Sequence, residues 1–297
     1  MKKSTKVFFW LIGIVLALGI LTVVIIMSGG RGEEGEYDLS GTGQKIAVVS
    51  LTGTILSSRE TVSTLKSLAD NAGVKAILLR VDSPGGGVAA SQEIFEEVKS
   101  IRDSVKPIVV SMGSVAASGG YYVSCGATRI VANPGTITGS IGVIAEFPNF
   151  SKLMEKVGLG MSVVKSGEYK DSGSPFRPAT KEDEQIFQGV VNDTYSQFLD
   201  VVSSERKLPL EKLKKIADGR VFTGAQAFKL GLVDTLGSYE DAIGIAAKLG
   251  GIKGKPVVVE PRKQKTLADI LFGDLFSNLH FFEKNFIDQP VLQYKLN

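Results

Sequence analysis

Residues 74–81 read VKAILLRV, an almost unbroken apolar run. A strand with one wet face alternates apolar and polar residues, whereas a strand covered on both faces need not. A chain containing such a run must supply helices for both sides of a sheet. KIAVVSL (45–51) and KPIVVSM (106–112) are runs of the same kind, and amphipathic patterns separate them. ETVSTLKSLAD (60–70) aligns Val62, Leu65 and Leu68, and SQEIFEEVKSIRD (91–103) aligns Ile94, Val98 and Ile101 at helical spacing. This alternation predicts an α/β domain with a mainly parallel sheet.

Further along, VAASGGYYVSCGA (115–127) predicts a helix of small residues, and TRIVANPGTITGSIGV (128–143) a short strand followed by a Gly/Thr/Ser loop. The longest helical pattern, 180–207, opens on Thr180 with Asp183 three residues on, the spacing of a capping box. KPVVVEP (255–261) predicts a last strand.

The N-terminus constrains topology. Val7–Met27 is 21 residues without a charge, and a membrane-spanning helix needs about 20. Lys2, Lys3 and Lys6 precede it and Glu33, Glu34, Glu36 and Asp38 follow, which keeps the N-terminus cytoplasmic. A cleaved signal peptide has an apolar region of only ~7–15 residues and a small-residue end; this run is longer and ends IIMSGGRG. The expected organisation is a cytoplasmic 1–6, a transmembrane anchor 7–27, a flexible Gly/Ser/acid stalk 28–44, a globular domain 45–260 outside the cytoplasm, and a tail 261–297.

Composition removes several chemistries. A net charge of +3, with no basic block beyond the N-terminus, argues against nucleic acid. Cys125 is the sole cysteine and His280 the sole histidine. An internal disulfide, a cysteine zinc cluster and an HExxH metal site are therefore impossible, and a Ser-His-Asp triad is disfavoured. No cofactor is expected.

GSVAASGGYY (113–122) then raises a question about Ser118. A serine hydroxyl needs a base to become a nucleophile, and His280 lies 162 residues downstream. A lysine serves if burial keeps its amine neutral. Two S-x-x-K stretches, STLK (63–66) and SVVK (162–165), read as chance. The first sits on an amphipathic helix; the second is expected in a strand, where residues three apart face opposite ways. VDSPGGG (81–87), between a strand and a helix, can turn N–H groups toward an anion or oxyanion, although D-S-P-G also makes an ordinary turn. Gly119 and Gly120 are poor helix formers. Either close packing or a substrate near the backbone explains them, so the residues alone leave Ser118 open between packing and catalysis. At a helix start after a strand, a developing oxyanion there would be favoured by the helix dipole.

VDSPGGG, VVSMGSVAASGGYY, GTITGSIGV and SGEYKD, in this order, resemble the bacterial signal peptide peptidase A family. SPFRPATKEDEQIFQ and ADGRVFTGAQAFKLGLVDTLG extend the resemblance to roughly residues 45–250. It implies a ClpP/crotonase-like fold of stacked ββα units and a membrane-bound serine protease with a Ser-Lys dyad. It assigns Ser118 as nucleophile, Lys170 as general base, Ser140 as the serine that orients the lysine, and the N–H groups of Gly86 and Gly119 as oxyanion donors. It further implies signal-peptide remnants and other apolar peptides as substrates, and a ring-like homo-oligomer with inward-facing sites, because one protomer does not build the whole cleft. A crotonase-like acyl-coenzyme A enzyme and a non-catalytic membrane scaffold are the alternatives.

Asp171, next to Lys170, would favour a charged amine unless an extended segment turns the two side chains apart. Cys125 reads as a buried core thiol and His280 as non-catalytic. The tail FIDQPVLQYKLN (286–297) has apolar residues spaced as in an extended strand. It is expected either along an active-site groove, its own or a neighbour's, as a self-inhibitory ligand or early substrate, or as a disordered end.

Overall fold

The computed structural model describes residues 36–40, 43–262 and 292–295. The expected anchor at 7–27, most of the stalk and His280 lie outside the described residues. Among the described residues, no helix is long and apolar enough to cross a membrane. Two units are distinguished. In one, β1 (Glu36–Tyr37) pairs antiparallel with β12 (Pro261–Arg262), so part of the expected stalk forms a strand. The other holds residues 39–260 together with 292–295.

The core of the larger unit is the predicted sheet. β2 (Lys45–Thr52), β3 (Val74–Ser83), β5 (Ile108–Ala117) and β6 (Arg129–Ala132) are neighbours, extended by β11 (Val257–Val259) and β10 (Thr235–Leu236). Every pairing along this path is parallel. α8 (Tyr239–Leu249) packs Ala242, Ile243, Ala246 and Ala247 against Ile46, Val48, Ala76, Leu78, Val109 and Val131. Because strand side chains alternate, Ile77 and Leu79, both fully buried, face the other side. There α1 (Arg59–Asp70) contributes Leu65 and Leu68, and α2 (Val88–Ser104) contributes Ile94, Val98 and Ile101. Cover on both faces is what the unbroken apolar runs required.

β5 is longer than KPIVVSM suggests. Its first half pairs with β6, and Val115–Ala117 pair with β7 (Ile137–Gly139), a strand inside the expected loop. The predicted small-residue helix therefore shrinks to α3, Gly119–Cys125. Its first three residues join the strand, where Val115 N–H donates to the Asp82 carboxylate at 3.0 Å. β9 (Val221–Thr223) completes this side, antiparallel to β7.

After β8 (Ile144–Ala145) and the short α4 (Ser151–Lys156), residues 157–170 are exposed throughout. SVVK is not a strand there. The long α5 (Lys181–Arg206) follows, with Thr180 and Asp183 forming the anticipated reciprocal cap. α6 (Leu210–Leu213) and α7 (Gly224–Lys229) connect back to the sheet.

Candidate active site

Three adjacent parallel strands, β3, β5 and β7, end side by side. Each carboxyl end carries one of the sequence motifs. This is where an open parallel sheet presents a crevice.

β3 ends at Ser83 and runs into β4 (Gly85–Gly87), whose first two glycines are a steric necessity. A Cβ built on Gly85, which has φ 104°, would lie 1.9 Å from the Tyr294 carbonyl oxygen and 2.7 Å from the Gly119 nitrogen. One on Gly119 would meet Ser91 Oγ at 2.6 Å and the Gly86 nitrogen at 3.2 Å. The backbones of VDSPGGG and of the residue after Ser118 thus touch directly, with the two expected oxyanion donors on facing segments.

Ser118 forms the turn between β5 and α3 at φ 52°, ψ −114°. That is a costly conformation for a residue with a Cβ, on the order of 1–3 kcal/mol. Its N–H donates to Gly139 O at 2.8 Å, and its carbonyl accepts from Tyr122 N–H at 2.8 Å. The hydroxyl is fully buried and, among the described residues, has no hydrogen-bond partner. Leaving a buried hydroxyl unpaired costs about 1–3 kcal/mol. Strain and an orphaned polar atom at one residue are hard to reconcile with a packing serine.

Ser140 mirrors it at the end of β7. It too is buried and has a positive φ, 50°, and its N–H donates to Arg220 O at 2.9 Å. Since Ala117 and Gly139 are paired, Ser118 and Ser140 follow them at neighbouring strand ends. The structure brings Ser118, Ser140, Gly86 and Gly119 together. Lys170 is not among them: it lies on an exposed turn, its N–H donating to Gly167 O at 3.2 Å. Asp171 does face elsewhere, but in a turn, not an extended segment; its carboxylate accepts from Lys165 Nζ at 2.8 Å and Arg177 Nη2 at 3.0 Å. Cys125 is buried, and burial pushes its thiol up to about 12. Among the described residues, no group of acidic, histidine or cysteine side chains could hold a metal.

The family model "Peptidase family S49" matches residues 100–253, and a "Clp protease" model matches residues 32–135. A "Putative protease" of Synechocystis sp. is 46% identical over 212 residues, covering 71% of this chain and 76% of that one. "Putative signal peptide peptidase SppA" of Enterococcus faecium is 34% identical over 267 residues, 78% of each chain. "Protease 4" of Haemophilus influenzae is 39% identical over 214 residues, 69% of this chain but 35% of that longer one. The chain belongs to peptidase family S49. It is a serine protease of the signal peptide peptidase A type, and its mixed α/β sheet is consistent with the ClpP-like clan. Membership in S49 decides against the acyl-coenzyme A enzyme and the inert scaffold.

In this S49 peptidase the crevice is filled by the chain's own tail. β13 (Leu292–Lys295) lies antiparallel between β4 and β8, with Tyr294 opposite Gly86, Gln293 opposite Gly87 and Ile144, and Leu292 opposite Ala145. The groove reading of the tail holds over these four residues. Tyr294 is fully buried, its ring stacked on Tyr122 at 5.1 Å and tilted against Phe198 at 4.7 Å, and its hydroxyl donates to Thr194 O at 3.3 Å. Phe95 meets Tyr122 edge-on. Burial pushes the Tyr122 hydroxyl up to about 12 and that of Tyr294 higher.

This aromatic pocket escaped sequence reasoning. Phe95 and Phe198 lie on different helices, α2 and α5, far apart in sequence. The only local hint was the Tyr pair directly after the Ser-Gly-Gly turn.

Proposed function

We propose that this peptidase is a membrane-anchored endopeptidase with its catalytic domain outside the cytoplasm, cleaving signal-peptide remnants and other apolar peptides through a Ser118–Lys170 dyad. Ser118 Oγ attacks the scissile carbonyl carbon while Lys170 Nζ accepts its proton. The Gly86 and Gly119 N–H groups hold the resulting oxyanion, and Ser140 orients the amine. Collapse breaks the C–N bond, the lysine returns the proton to the leaving amine, and water then releases the acyl group by the same route.

The observation that carries this reading is β13. A peptide backbone lies as an added strand on the Gly85–Gly87 segment, and its Tyr294 carbonyl oxygen and the Gly119 nitrogen both crowd the space that a Cβ on Gly85 would take. Strand addition gives affinity through main-chain bonds and leaves selectivity to pockets. The pocket used here is lined by Tyr122 and Phe198, with Phe95 packed against Tyr122, which suits apolar and aromatic side chains. We read the tail as a substrate-like inhibitor.

Placing Lys170 at Ser118 is the part that a second copy of the chain supplies. Among the described residues Ser118 Oγ has no hydrogen-bond partner, and Lys170 is exposed. The segment around it carries solvent-facing apolar side chains: Leu153, Val157, Leu159, Met161, Val163 and Val164, the last 99% exposed. So many exposed apolar side chains on one segment point to an interface, and a ring of copies would bring each base to its neighbour's serine. A serine-reactive phosphonate, with the adduct mapped by mass spectrometry, tests the assignment. Labelling is expected at Ser118 and is expected to be lost in Lys170→Ala. An adduct elsewhere, or full labelling of the lysine variant, would refute the dyad.

A further inference from the structure

Between residues 157 and 180 almost nothing is buried, yet the turn that bears Lys170 is held at several points. Lys165 Nζ donates to Glu168 O at 2.7 Å and to the Asp171 carboxylate at 2.8 Å, closing a clasp around residues 168–171. Arg177 anchors that clasp. Its Nη2 donates to the Asp171 carbonyl at 3.2 Å, the Asp171 carboxylate at 3.0 Å and Asp183 Oδ1 at 3.1 Å, and its Nη1 bonds the second Asp183 oxygen and Pro178 O. Asp183 is itself fixed. Its side chain is 3% exposed, it accepts from Ser172 Oγ and from Thr180 N–H, and it caps α5.

One guanidinium thus ties the residue after Lys170 to the start of a 26-residue helix. It also engages the carboxylate closest in sequence to the lysine. Glu168 lies on the same turn, and Glu184 borders the cavity that Arg177 lines, so negative charge is plentiful here and its placement matters. Arg suits this task because its planar fork of five N–H donors bonds two carboxylates and two carbonyls at once in a fixed geometry, whereas an ammonium offers three donors and no fork.

We infer that Arg177, braced by Asp183, is a positioning residue for the general base. It sets the place of the Lys170 turn and keeps the Asp171 charge turned away from the amine. The inference rests on Lys170 being the base. Released from Arg177, Asp171 becomes an adjacent carboxylate without its main partner, which favours the protonated, useless form of the amine.

The test compares Arg177→Gln, Arg177→Lys and Arg177→Gln/Asp171→Asn with the wild-type full chain, using a short chromogenic peptide across pH. Arg177→Gln should lower kcat about 10- to 100-fold, the cost of a misplaced catalytic group, with KM within a factor of two. It should also move the alkaline rise of kcat upward by about one pH unit. Adding Asp171→Asn should return the rise to its wild-type position without restoring kcat. Arg177→Lys, the mildest change, should lower kcat several-fold with the pH profile in place. Wild-type kcat in Arg177→Lys together with an unmoved profile in Arg177→Gln would overturn the inference. So would a loss of kcat that tracks loss of assembly alone, measured by light scattering at the assay concentration. Lys170→Met separates the two readings: if that variant stays active the base itself is wrong, whereas an inactive Lys170→Met beside an unaffected Arg177→Gln condemns only the positioning role.

Discussion

The two halves of the proposed site are built in opposite ways. Ser118 sits at the end of β5, in the middle of a sheet with helices on both faces, and its backbone is bonded to β7 and to α3. Lys170 sits on a segment with no core of its own, tied down by Arg177 and Lys165 and flanked by bare apolar side chains. The difference teaches where each half gets its precision. A sheet can impose a strained φ of 52° on a serine because the packed strands and helices around it over-determine the turn. The lysine segment has no such backing within the protomer, so its final geometry depends on what its apolar surface meets.

The sharpest attempt to break that comparison is to mix two dead enzymes. Ser118→Ala and Lys170→Ala should each lower kcat by about 10⁴-fold or more, since losing one member of a nucleophile–base unit costs nearly as much as losing both. If the two halves come from different copies, co-assembling the variants restores sites that pair an intact serine with an intact lysine, about a quarter of all sites for random pairing in a cyclic assembly. Activity that never returns on mixing, in assemblies shown to contain both variants, would place both groups in one chain.

The surroundings of Ser118 were more legible in the sequence than those of Lys170. Apolar runs in β2, β3 and β5 announced a doubly covered parallel sheet because burial on both faces leaves no polar alternation to mislead the eye. Thr180 and Asp183 announced the start of α5 because a cap is a local device. Motif order carried Ser118, Ser140, Gly86 and Gly119, and the fold assembles these four. What was misread depended on distant contacts. Val115–Ala117 look helical by composition but become strand because β7 and the Asp82 carboxylate claim their backbone. SVVK looked like a strand by propensity, yet with no sheet edge to join it stays irregular. The Tyr294 pocket needs α2, α3, α5 and the tail at once, and no window of sequence holds all four.

A milder perturbation removes the tail. Deleting residues 286–297 clears β13 from β4 and β8 and should raise kcat/KM toward a short peptide several-fold, leaving the Ser118 half otherwise unchanged. Burying the Tyr294 side chain contributes about 1.5–3 kcal/mol, so Tyr294→Ala should give much of the same gain. Unchanged kinetics in both variants would mean that the tail does not compete with substrate.

The smallest expected effect comes from acid, and it discriminates between the halves by charge. Hydrogen bonds from Arg177, then Lys165, hold the Asp171 carboxyl down at about 2, and those from Arg177, Ser172 and the Thr180 backbone hold Asp183 lower still. A carboxyl depressed on folding adds stability above its ordinary value near 3.8, and that contribution fades as pH falls through the folded value. For Asp171 the window therefore runs from about pH 4 down to about 2, with Asp183 fading later. Asp103 and Asp218, also held at about 2 by arginine partners, share the window at two other surface sites. β5 and α3 contain no carboxylate of their own, although Asp82 on β3 accepts from Val115 N–H. Hydrogen exchange, corrected for its intrinsic pH dependence, should show amides of 165–183 losing protection in this range before those of β5. In Arg177→Gln the same amides should already exchange faster at neutral pH, with β5 unaffected. Simultaneous loss in both segments would instead mean that the lysine turn and the sheet unfold as one unit, and that the serine and lysine halves differ in exposure but not in independence.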